Sequence, residues 1–216
     1  MNSNNNIKDK ITSRDIQAEN RKNQFIVAAK ELFAEKGYHG TTVRDINRAV
    51  GITEGLMYHY FPGGKSEILQ AIVNNAIEEK KNNYNTALSH FEGPSTLKEV
   101  LNFFGSIIFD FTTKDKELIL IWLRDKNLID KKYQDEYADI TENIIKHLIA
   151  YINTFVMQNN DCDLEPTMMA NQFLSSLSMF IMQEYVSGMV YSSNNTQEDY
   201  LHSLVDYTLK TWRFKT

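Results

Sequence analysis

The apolar residues of this chain recur at helical spacing. Phe25, Ala29, Leu32 and Phe33 follow an i, i+4, i+7, i+8 pattern, which places them in one stripe on a helix. No stretch shows a sustained alternation of apolar and polar residues, and no repeat of roughly 20 to 50 residues is present. The pattern therefore predicts an all-α chain.

Turn residues and capping signatures divide the chain into a series of predicted helices. Gly37 is expected to end the first helix with a left-handed backbone, and Thr42 with Asp45 forms a capping-box start for the second. Thr53 is expected to cap the third, and few breakers follow Gly64, so the later helices should be long. The predicted helices lie at about 16–36, 43–50, 53–61, 66–82, 96–112, 115–128, 131–158, 165–190 and 197–213.

The first 64 residues are predicted to form a tail and a small helical domain. Residues 1–14 are rich in Asn and Lys without periodicity, so a flexible, solvated tail is favoured, with a minor-groove arm as the alternative. Residues 15–64 place two short helices, joined by a tight turn at Gly51, against a longer first helix. This arrangement predicts a helix-turn-helix domain. Residues 65–216 are expected to form a second helical domain.

The stretch from Gly37 to Leu69 carries a more specific signature. It combines Gly-Tyr at 37–38, a Thr-Thr opening, Ala-Val-Gly-Ile at the turn, Tyr-His-Tyr-Phe at 58–61 and Lys65 opening helix four. This ordered string resembles the tetracycline-repressor (TetR) family of bacterial transcription regulators. The resemblance covers about residues 16–75. It implies a DNA-binding domain followed by a helical domain for ligand binding and dimerisation.

The candidate DNA contacts surround the turn and the third helix. The first residues of a recognition helix meet base edges, and the polar tips of Tyr and His suit phosphates. Lys65 at a helix N-terminus is expected to act as a phosphate clamp, and Arg44 to reach a phosphate or a guanine edge. The expected contacts are Thr42, Arg44, Thr53, Glu54, Gly55, Leu56, Tyr58, His59, Tyr60 and Lys65.

Two residues of this segment depart from the usual pattern of the family. Asn47 stands where a small Ala is usual in helix two, and it needs a polar partner if it is buried. Glu54 stands where the family often has Lys. A carboxylate there repels phosphate but can accept a hydrogen bond from cytosine N4. Glu54 is therefore expected to influence sequence preference.

The second domain is rich in aromatic residues, which line helical cores and ligand pockets alike. The resemblance implies a pocket among the middle helices, whose occupancy moves helix four and respaces the DNA-reading domains. An apolar or aromatic effector is favoured, with His147 either as a polar contact or as a structural residue. The candidate pocket residues are Phe104, Trp122, Tyr137, His147, Tyr151 and Phe173.

The last two predicted helices carry apolar residues at helical spacing. The resemblance implies that they form a four-helix bundle with a second copy around a two-fold axis. Such a dimer would present two recognition helices to successive major grooves of a palindrome. The alternative is a monomer that buries both helices internally. The candidate interface residues are Phe173, Leu177, Phe180, Ile181, Leu201, Leu204, Val205 and Trp212.

Composition and charge bear on the class of protein. The net charge of −5 is uneven, with +2 over residues 1–67 and −7 over the rest, which weakly favours DNA binding at the front. The single Cys162 excludes an intramolecular disulfide, and the longest apolar run, 118–123, is too short for a membrane span. No secretory signal is recognisable. A cytoplasmic protein is expected, with no membrane partner.

Motifs that carry catalysis are missing from the sequence. It contains no HExxH, no Gly-rich phosphate loop, no GxSxG and no Cys–His pairing, and its five histidines are scattered. We therefore expect no catalytic residue, no metal ligand and no cofactor. The favoured function is a ligand-responsive repressor that binds a palindromic operator on double-stranded DNA as a homodimer and is released by a small-molecule effector. A small all-α enzyme and a protein-interaction module are the alternatives.

Overall fold

The computed structural model describes residues 12–53, 55–91, 93–158, 164–183 and 196–213. Within these ranges every regular element is a helix, which confirms the all-α prediction. No helix there is both long enough and apolar enough to cross a bilayer. The helices are α1 (Ser13–Gly40), α2 (Val43–Val50), α3 (Leu56–Tyr60), α4 (Gly64–His90), α5 (Leu97–Thr113), α6 (Lys116–Asp125), α7 (Lys131–Gln158), α8 (Pro166–Met182) and α9 (Gln197–Thr211), with a 3-10 turn at Lys126–Leu128.

Helix α1 begins earlier than its apolar stripe predicts. The Thr12 hydroxyl accepts a hydrogen bond from the Asp15 N–H at 3.2 Å, and the Asp15 carboxylate accepts one from the Thr12 N–H at 2.9 Å. This capping box makes Ser13 and Arg14 helical, so their assignment to the tail is wrong. The rest of the predicted tail, residues 1–11, lies outside the described residues.

The helix-turn-helix segment has the predicted boundaries on α2 but not on α3. The reciprocal hydrogen bonds of Thr42 and Asp45 start α2, and Gly51 ends it with the left-handed φ of +72°. Helix α3 begins only at Leu56, after Gly55 at φ +107°, and no side chain caps it. Thr53 is therefore not an N-cap. The chain enters α3 through a backbone conformation that favours glycine instead of through a hydroxyl cap.

The later helices differ from their predicted lengths at several ends. Helix α4 continues to His90, because neither glycine nor proline interrupts the chain between Lys65 and that residue. Helix α6 gives way to the 3-10 turn after Asp125, and α9 ends two residues early, at Thr211. Helix α8 is described as far as Met182, and residues 184–195 lie outside the described ranges.

The described helices form two compact units. The first comprises the chain up to residue 74 together with residues 121–129, and the second comprises residues 75–120 and the chain from 130 onward. The predicted division at 64/65 places 121–129 in the second domain, whereas their contacts group them with the helix-turn-helix helices. The core of the first unit is formed by fully buried Phe25, Phe33, Ile46 and Met57.

Candidate DNA-binding site and second-unit cavity

Helix α3 divides its side chains between the core and the surface. Met57 and Phe61 are buried, and the Phe61 ring meets Phe25 edge-on at 6.0 Å between centroids. Tyr58 is 50% exposed, and Leu56 and His59 are exposed beside it. The short helix therefore presents an aromatic, polar-tipped surface while its other side anchors it.

Tyr60 lies between these two groups. Its ring is half-buried and stands 5.9 Å from that of Phe25 and 5.1 Å from that of His59, measured between centroids. The packing on Phe25 holds the ring against the core. The predicted DNA contact of Tyr60 is therefore confined to the edge of the ring that stays exposed.

Gly64 makes room for the Tyr58 ring. Its φ is +64°, and a Cβ at this position would lie 3.1 Å from Tyr58 Cε1. A side chain at residue 64 would therefore be strained and would push the tyrosine aside. The glycine at position 64 of the sequence meets this requirement.

The remaining predicted contacts on α2 and the turn are exposed. Thr42, Arg44, Thr53 and Gly55 all lie at the surface, and Glu54 lies outside the described residues. The Thr42 hydroxyl is already engaged with Asp45 Oδ2, at 2.6 Å. That hydrogen bond and, to a smaller extent, the one from the Thr42 N–H lower the pKa of Asp45. The Asp45 carboxylate of the capping box therefore stays ionised.

Lys65 has a different environment from the one its sequence position predicts. Its Nζ donates to the carbonyl oxygens of Tyr38 and Thr41, at 2.6 and 2.7 Å, and lies 4.2 Å from the centroid of the Tyr38 ring. Burial lowers the pKa of this ammonium. Two of its three N–H donors thus bind carbonyls at the end of α1. A phosphate contact through the third remains a prediction.

Arg124 and Asp125 also bind this end of α1, and neither contact was predicted from the sequence. Arg124 Nη2 donates to the carbonyl oxygen of Ala34 at 2.9 Å and to that of Phe33. The nearly buried Asp125 carboxylate accepts a hydrogen bond from the Tyr38 N–H at 3.1 Å. Tyr38 and Asp125 lie 87 positions apart, so no local pattern in the sequence predicts their hydrogen bond, and only the folded chain reveals it.

Asn47 is buried in α2 without a hydrogen-bond partner. Its side chain is 2% exposed, and neither Nδ2 nor Oδ1 has a partner in the part of the chain that the structure describes. A buried amide in this state costs about 1–3 kcal/mol. The residue that departs from the family pattern is therefore also a point of internal strain.

The predicted pocket residues of the second unit are only partly brought together. Phe104 is fully buried, and its ring centroid lies 5.9 Å from that of the half-buried Tyr151. Phe173 is fully buried, and burial raises the pKa of Tyr137. Trp122 belongs to residues 121–129, which group with the first unit.

His147 lines a cavity of about 430 Å³ between α4 and α7. Its Nδ1 lies 2.6 Å from the hydroxyl of Tyr84, which lines the same cavity. The other five predicted pocket residues are not among the lining residues of this cavity. His147 therefore takes part in a polar site on α4 and α7.

Most of the predicted interface residues lie in the core of a single chain. A Cβ at Gly105 of α5 would clash with Leu201, which shows how closely α5 packs on α9. Phe180 stacks on Tyr200 with 3.9 Å between centroids, and Leu204 is half-buried. The apolar stripes of α8 and α9 are thus used for packing within the chain. The buried six are Phe173, Leu177, Ile181, Leu201, Val205 and Trp212.

Known proteins resemble this chain at both the sequence and the fold level. Residues 25–72 match the family model described as bacterial regulatory proteins, tetR family. The chain is similar to the biofilm operon icaADBC HTH-type negative transcriptional regulator IcaR of Staphylococcus epidermidis, with 25% identity over 207 residues that cover 88% of this chain and 99% of that protein.

Two solved structures share the fold. The TetR family transcriptional regulator PfmR from Thermus thermophilus matches with a TM-score of 0.66 and 22% identity, over 86% of this chain and 97% of that one. AibR, solved in complex with isovaleryl coenzyme A and operator DNA, matches with a TM-score of 0.63 and 17% identity, over 90% and 100%.

An exposed α3 surface, held behind a capped α2 and a glycine turn, defines a helix-turn-helix regulator of transcription. Two comparisons identify the family within this class. Residues 25–72 match its family model, and IcaR aligns with the chain over nearly its full length. The chain belongs to the TetR family of bacterial transcriptional regulators. These regulators bind DNA and are not enzymes.

Proposed function

We propose that this chain is a repressor that binds a palindromic operator as a homodimer in the cytoplasm and is released by a small effector. The observation that carries the proposal is the exposed surface of α3, where Leu56, Tyr58 and His59 stand next to the turn. Support for repression comes from the relative IcaR, which is a negative regulator. Support for an effector comes from AibR, which binds isovaleryl coenzyme A as well as operator DNA.

Side chains of α2 and α3 are proposed to contact both the phosphate backbone, which positions the protein on DNA, and the base edges, which carry the sequence. Tyr58 and His59 carry polar tips that suit the phosphate backbone, which fixes register without reading sequence. Arg44 and Leu56 are the candidates for base contacts, since guanidinium groups pair with guanine and apolar groups meet thymine methyls. Glu54 is a further candidate from the sequence, for cytosine.

A second copy is proposed to pack on an exposed face of α8. This face alternates steps of four and three residues, which is the spacing of a coiled-coil seam. Its methionines are 66%, 60% and 40% exposed, unusually accessible for apolar side chains. It replaces the buried stripe that the sequence predicts as the interface. The face consists of Met168, Gln172, Ser175, Met179 and Met182.

The effector is proposed to bind in the second unit. An apolar or aromatic ligand is supported by the contact of Phe104 with Tyr151, which places two rings of the predicted pocket side by side. Differential affinity of such a ligand for the DNA-free arrangement would lower the affinity for the operator.

The experiment that tests this function is the selection of bound duplexes from a random pool, with the mass of the protein in solution measured alongside. We expect an enriched palindrome and the mass of a dimer. Arg44→Ala should change the enriched sequence, because it removes a base contact. A monomer that enriches no sequence would overturn the proposal and favour an enzyme or a protein-interaction module.

A further inference from the structure

The cavity between α4 and α7 has a buried floor and a polar rim. Ile77, Tyr84 and Ile140 are buried at its base, and the amides of Asn85 and Asn143 stand at its exposed edge. Its volume of about 430 Å³ falls within the range of small-molecule sites. The cavity has room for a metabolite that fills the floor with methylene groups and turns its polar groups to the rim.

A hydrogen bond joins Tyr84 to His147 at one end of the cavity. Tyr84 is only 4% exposed, and its hydroxyl oxygen lies 2.6 Å from His147 Nδ1. Burial, followed by the nearby Tyr151, raises the pKa of Tyr84 to about 12, so the hydroxyl keeps its proton at neutral pH. The Tyr84 hydroxyl and the His147 ring therefore form one polar end of the cavity.

Charges of opposite sign stand on the two helices of the cavity. Lys81 is contributed by α4, and Glu136 and Asp139 are contributed by α7. The nearby Lys132 is not a lining residue, and its pKa is raised mainly by its hydrogen bond with Tyr133. The three charged groups that line the cavity therefore sum to −1.

We propose that this cavity binds a small zwitterionic amine of the basic amino-acid class. The ligand carboxylate pairs with Lys81, its α-ammonium pairs with Glu136, and its side-chain cation pairs with Asp139. A ligand of this class carries a net charge of +1, which complements the lining. An apolar ligand would instead cover three charged groups without replacing their water, at a cost in free energy. The inference goes beyond the proposed function, since the apolar effector has a different chemistry.

The test uses L-arginine and two probes that each lack one of its charged groups. L-Arginine carries both a carboxylate and a guanidinium, agmatine lacks the carboxylate, and L-citrulline has a neutral urea in place of the guanidinium. Calorimetry on the full chain should show that arginine binds and that each of the other two binds about tenfold more weakly or worse, because each loses a charge-assisted pair. Equal affinity for the three, or no binding of millimolar arginine, would overturn the proposal.

Two variants with matched controls assign the charges. Lys81→Met should weaken arginine about tenfold and leave agmatine unchanged, and Asp139→Asn should weaken arginine but not citrulline. The controls are Lys146→Met and Glu142→Gln, which remove an exposed ion pair of 2.7 Å on α7 that does not line the cavity. Controls that lower arginine affinity as much as the cavity variants would refute the assignment.

The titration contains no DNA, so it separates two kinds of failure. A chain that selects an operator but does not bind arginine refutes only the cavity proposal. A chain that binds arginine but enriches no duplex refutes only the proposed function.

Discussion

The Asp125 carboxylate accepts a hydrogen bond from the backbone N–H of Tyr38 at 3.1 Å, although the two residues lie 87 positions apart. Arg124 binds the carbonyl oxygens of the preceding turn of α1, and Gln70 Nε2 donates to the carbonyl of Leu128 at 2.9 Å. The last turn of α6 is therefore part of the unit that carries the helix-turn-helix. It holds the end of α1, from which the chain turns into α2.

Asp125→Ala should lower the free energy of unfolding by about 1–3 kcal/mol, because it leaves a partly buried N–H without its acceptor. Asp125→Asn keeps an acceptor oxygen and should lose less. Operator affinity should fall in the same order, measured well below the unfolding temperature. Asn127→Ala, an exposed change in the adjoining turn, is the control. An Asn variant as damaged as the Ala variant would show that the charge, and not the hydrogen bond, matters.

Asn47→Ala should raise the free energy of unfolding by about 1 kcal/mol. It removes two buried polar atoms without partners among the described residues, and this gain exceeds the packing contacts that the smaller side chain gives up. Urea denaturation measures the change. Asn75→Ala, at an exposed position of α4, reports the gain from helix propensity alone. A loss of stability in Asn47→Ala would mean that the amide has a partner, such as a buried water.

Tyr58→Phe and Lys65→Met should have different effects, because Tyr58 is proposed to contact DNA whereas Lys65 supports the fold. Tyr58→Phe should weaken binding to operator and random duplexes alike while leaving stability unchanged, because only an exposed hydroxyl is lost. Lys65→Met should lower stability, since the carbonyls of Tyr38 and Thr41 lose their donor. If its third N–H binds phosphate, the slope of log affinity against log salt also falls by about one. An unchanged slope would leave Lys65 with a structural role only.

Met179→Glu should convert the proposed dimer to a monomer. The substitution places a carboxylate within the exposed α8 face, where the proposed dimer would bury it against the second copy. Mass in solution gives the result, and operator affinity should fall with it. Met157→Glu is the control, because Met157 is exposed on α7. A dimer that survives Met179→Glu would place the interface elsewhere.

Tyr84 should make the protein sensitive to alkaline pH. Its pKa rises to about 12 in the folded chain, above its ordinary value of 10.0, so the unfolded chain ionises first. The stability is fully present below pH 10 and declines between pH 10 and 12, by about 1.4 kcal/mol per pH unit. The difference between wild type and Tyr84→Phe in urea titrations isolates this contribution. Parallel pH profiles for the two proteins would contradict it.

The predicted and observed elements agree where a short stretch of sequence controls the backbone. The Thr42–Asp45 capping box, the left-handed Gly51 and the helical stripe of Phe25 all depend on neighbours within about two turns. Thr53 failed as a cap because Gly55, two residues later, offers a different entry to α3. The sequence contained both signatures and no rule to choose between them.

The buried apolar stripes of α8 and α9 show a second limit of prediction from sequence. An apolar stripe indicates that a helix face is covered, but it does not identify what covers it. Here α5 covers Leu201 of the same chain, so a stripe predicted as an interface became core. The face that we propose for a second copy is poorer in large apolar residues, and it was not recognisable until the covered faces were known.

Local sequence was enough to establish the helical class, the helix-turn-helix and the family, because these depend on capping, turns and spacing among nearby residues. The folded chain was needed to show which distant groups meet: Asp125 with Tyr38, Lys65 with the end of α1, and Tyr84 with His147. Such pairings bring together segments that are far apart in the chain. Their partners are chosen by the packing of the whole unit, which no local pattern records.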